Sequence, residues 1–147
     1  MGKSGFTLIE TLFSIMFVGC AAAIAVVSMP ASTASKTKAK YYNFAVNYAT
    51  RQIEELQYRG FAKLNADDLK TAGLIDSKTP VAGTDTYPCT NVSFGANELI
   101  SSKLPNGKAT VRIQDVTMDS KRVTVHVEWL ERSQTRSFDL GTVVADL

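Results

Sequence analysis

Few side chains in this sequence are of types that do chemistry, and their spacing groups almost none of them. His126 is the only histidine, and it falls on the polar side of an alternating stretch, where a surface or sheet-packing role is the ordinary one. No nucleophile–base grouping, phosphate-cradling glycine loop or diagnostic carboxylate pair is present. Asp67 and Asp68 read as a solvated helix start, and no Asp-x-Asp-x-Asp-Gly calcium loop exists. Cys20 sits in an apolar run and Cys89 in a polar loop far along the chain, so both are expected to be free thiols, without haem or zinc spacing. The expectation is therefore no enzyme activity, no cofactor and no metal. Glu10 is the exception. It stands in KSGFTLIETL, inside a segment otherwise suited to lipid.

The elements that must position Glu10 begin with that segment. Thr11 to Ser35 carries no formal charge, and Leu12 to Met29 is nearly all apolar or small. As a helix those residues span about 27 Å, close to a bilayer's hydrocarbon thickness. A buried core helix is the competing reading, but this run has no polar stripe. A secretory signal cleaved near Ala34-Ser35 is another, although only MGKSG precedes the run, which is also long for a signal. With helix beginning at Phe6, Glu10 lies about 6 Å in. Its carboxylate could snorkel to the headgroups, favoured by the helix N-terminus. It could instead pair with a positive group among apolar helices, where an unpaired charge costs several kcal/mol.

The chain has 147 residues, 45% of them hydrophobic, and 16 Lys/Arg against 14 Asp/Glu. One small domain with an appendage is the natural organisation, and a net charge of +2 implies no nucleic-acid partner by itself. Pro30 lacks an amide N–H and is a position for a kink. Lys36, Lys38 and Lys40 mark the water side, followed by Tyr41, Tyr42, Phe44 and Tyr48 as a partial interfacial belt. Residues 38–58 read as an amphipathic helix with Tyr42, Ala45, Ala49, Ile53 and Leu56 on one stripe, stopped by Gly60. Residues 60–108 read as a variable loop with one short helix near Ala66–Ala72. Within 109–145, alternation at Thr110–Val116, Val123–Leu130 and Arg136–Val144 predicts three antiparallel strands joined by short polar turns. The fold class is α+β: a long N-terminal helix, part membrane-spanning and part amphipathic, whose stripe packs on a small C-terminal antiparallel sheet.

On GFTLIETLFSIMF the sequence resembles the type IV pilin-like family, which includes pilins and type II secretion pseudopilins. The resemblance rests on residues 1–30, with a close match from Gly5 to Glu10. It implies a leader of residues 1–5, a membrane and filament-core helix over 6–35, and a globular domain over 36–147. A prepilin peptidase would cut between Gly5 and Phe6 and N-methylate Phe6. Glu10 would meet the α-amino group of a neighbouring subunit's Phe6 and set axial register. Gly19 and Pro30 would be where the helix opens in a filament. The N-terminus would face the cytoplasm, placing Lys36, Lys38 and Lys40 outside, opposite to a simple positive-inside count.

The function this implies is a structural subunit of a type IV pilus or a type II secretion pseudopilus. It would wait in the inner membrane, among lipids and the assembly machinery, before joining other pilin or pseudopilin subunits in a cell-surface or periplasmic filament. The closing stretch VTVHVEWLERSQTRSFDLGTVVADL is similar in style to minor subunits. Two alternatives stand beside it. One is a single-span protein with an extracytoplasmic binding domain. The other is a DNA-uptake pilin using Lys36, Lys38 and Lys40 or Arg132 and Arg136 on phosphates. Three lysines beside a membrane ordinarily mark only its boundary, so a nucleic-acid partner is not expected.

Overall fold

The longest helix, α1 (Leu8–Arg59), begins directly after Thr7. The Thr7 carbonyl accepts from the backbone N–H of Glu10 at 3.0 Å and of Thr11 at 3.2 Å. The helix passes through Gly19 and Pro30 and stops at Gly60, whose φ of 74° lies in the left-handed region open to glycine. The structure, a computed structural model, describes residues 7–81, 85–95 and 99–146, with side chains at all of these except 27–32 and 34. Two compact units divide the chain, Met1–Ala39 and Lys40–Leu147, and α1 contributes to both.

In the second unit, α1 buries one face. Ala45, Tyr48, Ala49, Gln52, Ile53 and Leu56 are all buried, the spacing of a 3.6-residue period. Arg51, Glu54, Glu55 and Arg59 point to solvent. The stripe is wider than the sequence pattern predicts, because Tyr48 and Gln52 join it. Tyr48 is not part of an interfacial belt: it is 3% exposed, with Tyr41 and Phe44 packed against the same core. Tyr42, expected inside, is half exposed and meets Phe138 edge-on at 5.7 Å. Gln52 is tolerated there because its Nε2 donates to the Leu74 carbonyl at 2.7 Å.

The stripe packs on a four-stranded antiparallel sheet in sequential order, β1 (Thr86–Pro88), β2 (Lys108–Thr117), β3 (Ser120–Glu131) and β4 (Gln134–Ala145). Alternation does its work in β3, where Val123, Val125, Val127 and Trp129 are buried and their neighbours are not. Ala109, Val111 and Ile113 of β2 join the same core, with Phe138 and Leu140 of β4 packed at its edge. Pro88, which cannot donate to a ladder, lies on the outermost strand. Arg132 and Ser133 make the β3–β4 turn, both with positive φ, the backbone of a two-residue hairpin.

The segment between helix and sheet holds more regular structure than its composition suggests. A 3₁₀ turn (Phe61–Lys63), α2 (Ala66–Thr71), β1 and α3 (Ile100–Lys103) all lie within it. Asn65 caps α2 by accepting from the Asp68 amide at 2.9 Å, which places Asp67 and Asp68 at a solvated helix start as expected. The Asp76 carboxylate accepts from the Asn91 amide at 3.0 and 3.1 Å, pinning one side of the segment.

Gly107, between α3 and β2, is required by close approach. A Cβ there would lie 2.6 Å from Ile100 Cγ2 and 2.8 Å from Leu104 Cβ. Gly107→Ala should therefore cost about 1–3 kcal/mol through overpacking. Gly141→Ala should cost less, since its nearest contact would be 3.4 Å. Urea unfolding followed by the fluorescence of Trp129, the chain's one tryptophan, measures both.

Candidate functional site

The first unit carries the candidate site. Leu8–Val26 is a helical stretch long and apolar enough to cross a membrane, and none of it is buried. Its large side chains, among them Leu8, Leu12, Phe13, Phe17 and Ile24, are 57–82% exposed. Ten such side chains at about 1.5–3 kcal/mol each would cost on the order of 20 kcal/mol in water. That exceeds the whole stability of an ordinary domain, so the stretch is suited to lipid or to other apolar helices rather than to water.

Glu10 is the single charged residue of that stretch and the third residue of α1. It is exposed and sits in the first turn of α1, where the helix dipole favours a negative charge. The polar side chains nearby turn inward to their own backbone. Thr11 Oγ1 donates to the Leu8 carbonyl and Ser14 Oγ to the Glu10 carbonyl, each at 2.8 Å. These bonds hide two hydroxyls from an apolar environment and leave the Glu10 carboxylate as the one strongly polar group presented outward. Gly5 and Phe6, the expected cleavage and methylation positions, lie outside the described residues. Gly19 and Pro30 both lie within α1 in the single chain, and the helix does not end at Pro30. Nothing crowds Gly19: a Cβ there would meet no atom within 4 Å.

The other chemistry-bearing residues go to structural places. His126 is on the outer face of the sheet, and its Nδ1 lies 2.6 Å from Asp139 Oδ1, its registered partner on β4. Glu128, two residues along the same strand, reaches within 3.9 Å of its Nε2. Arg136 is 3.8 Å from Glu131. Among the described residues, no group of three or more His, Cys, Asp or Glu is arranged to hold a metal.

Cys89 departs from its expected setting in an open polar loop. It is a free thiol with no exposed surface, and its carbonyl accepts from the Tyr48 hydroxyl at 2.6 Å. Composition hid this, because Pro88, Thr90 and Asn91 surround it while β1 carries it inward. Burial pushes the Tyr48 phenol and the Cys89 thiol well above their ordinary values of 10.0 and 9.0. The unfolded chain sheds these protons at the ordinary values and the folded chain keeps them. Stability is thus fully present below about pH 9 and falls as pH rises. The fall should be about 1.4 kcal/mol per pH unit for each group once its ordinary value is passed. Urea unfolding at pH 7, 9, 10 and 11 checks this, and in Cys89→Ala the fall should begin about one pH unit later.

The chain thus presents an uncovered apolar helix, one carboxylate at its start, and a helix-on-sheet domain. No protein-family model matches it, nor does any curated protein or solved structure.

Proposed function

We propose that this protein is a structural subunit of a type IV pilus or type II secretion pseudopilus, a minor one by the style of its sheet. In this reading a prepilin peptidase removes residues 1–5 and methylates Phe6. The subunit then waits in the inner membrane on the Leu8–Val26 span with its domain outside. Assembly machinery transfers it to a helical filament in which other subunits replace lipid around the helix. Its work is assembly, with no catalysis and no cofactor.

The observation that carries the reading is the combination at the start of α1. A wholly uncovered apolar stretch places its only charge on the third helical residue. Lipid alone would explain the apolar surface. A retained carboxylate at that depth is explained by a positive partner, which the methylated N-terminus of an adjacent subunit would supply. The pilin-like layering of a helix on an antiparallel sheet is compatible with this.

Intact mass and N-terminal sequencing of protein extracted from membranes of its native host test the reading. A chain starting at N-methylated Phe6 supports it. A chain starting at Met1 in a host with an active prepilin peptidase overturns it in favour of a single-span protein. A start near Ser35 would make it a secreted domain.

A further inference from the structure

The outer face of the sheet holds a polar groove that the filament reading does not use. Its volume is about 430 Å³, and its lining includes Thr110, Arg112, Gln114, Arg122 and Thr124. Strand register explains the cluster. Arg112 on β2 faces Thr124 on β3, and Gln114 faces Arg122, so the two arginines are diagonal neighbours on one face. Neither makes an ion pair among the described residues. Arg112 uses its Nε–H on Thr86 Oγ1 at 3.2 Å, leaving its terminal N–H groups available. The one carboxylate lining the groove, Asp139, is engaged by His126 at 2.6 Å. On β4 the residue beside Thr124 is Gly141, whose missing side chain leaves the hydroxyl uncovered.

We propose that this groove binds a phosphate group, carried either by a soluble ester or by a lipid headgroup. Two guanidinium groups within reach of one point can grip a tetrahedral oxyanion through paired N–H donors. The threonine hydroxyls and the Gln114 amide supply neutral hydrogen bonds to the group that carries it. No Phe, Tyr or Trp lines the groove, and its one aromatic ring, the His126 imidazole, is held by Asp139, so it lacks the extended stacking platform that a single-stranded nucleic acid would use. The site stands independently of the filament proposal.

The test uses the full chain in an uncharged maltoside detergent, titrated with inorganic phosphate, glycerol phosphate and short-chain phosphatidylglycerol while backbone amide shifts are recorded. The expected result is a saturable shift centred on Arg112, Arg122 and Thr124 with all three. Tighter binding of the lipid than of glycerol phosphate assigns the headgroup source, and equal binding assigns the soluble ester. Arg112→Gln with Arg122→Gln should weaken binding about tenfold or more. Arg132→Gln, at the hairpin tip outside the groove, should leave it unchanged. These exposed substitutions remove no core contact, and an unchanged amide spectrum without ligand verifies the fold. No phosphate-induced shift at these residues, or equal weakening by Arg132→Gln, overturns the proposal.

Discussion

If the protein assembles as proposed, Glu10→Gln should leave it folded, inserted and processed at Phe6, while its incorporation into filaments falls about tenfold or more. The side chain makes no hydrogen bond or ion pair among the described residues; only the Glu10 carbonyl is used, by Ser14 Oγ. Substitution therefore removes nothing from the domain, and thermal unfolding of the second unit should not move. What it removes is the charge. Between apolar helices, an ammonium group left without its carboxylate carries a desolvation penalty of several kcal/mol. That is ample to disfavour docking of one subunit beside the next. Glutamine keeps the size and much of the polarity, so a defect would isolate charge from shape. Filament fractions sheared from cells and compared with the membrane pool measure the effect. Wild-type incorporation of Glu10→Gln would leave the carboxylate with no more than a headgroup role.

Leu56→Ala should destabilise the domain by about 2–5 kcal/mol, the usual cost of a cavity in place of a buried leucine. Leu56 has no exposed surface and lies at the end of the α1 stripe, in the same core as Val123, Val125 and Val127. A domain whose whole stability is about 5–15 kcal/mol would lose a large fraction of it. Glu55→Ala, one residue away on the exposed face, should change stability by less than about 0.5 kcal/mol. Urea unfolding of the full chain in detergent, read by Trp129 fluorescence, separates the two. Equal midpoints would mean that the stripe is not what holds the helix to the sheet.

The parts of the fold that repeat were legible before the structure. Val123, Val125, Val127 and Trp129 alternate over a full strand, and Ala45, Ala49, Ile53 and Leu56 recur at helical spacing, so each pattern reports its own buried face. Tyr48 and Gln52 escaped because residue type pointed elsewhere. A tyrosine near a membrane boundary suits an interface, and an amide suits water, until a carbonyl is placed to receive each of them. β1 and α3 have three and four residues, too few to show a period. Glu10 was legible as an anomaly, a charge in an uncharged run, and among the described residues nothing pairs with its carboxylate. The arginine groove was hidden for a different reason. Arg112 and Arg122 are ten positions apart in sequence and become neighbours only through the register of a hairpin.

The sequential strand order has a consequence for how the protein is made. The stripe on α1 leaves the ribosome well before the strands that cover it, and Val144 of β4 is among the last core residues to follow. Hairpins between adjacent strands close locally and quickly, since each turn joins neighbours in sequence. The helix, however, waits with Ala45, Tyr48 and Leu56 bare until β2, β3 and β4 have arrived. Synthesis of the strands must therefore finish before the domain can close, and an interrupted chain would emerge with a greasy helix face and no sheet to shelter it.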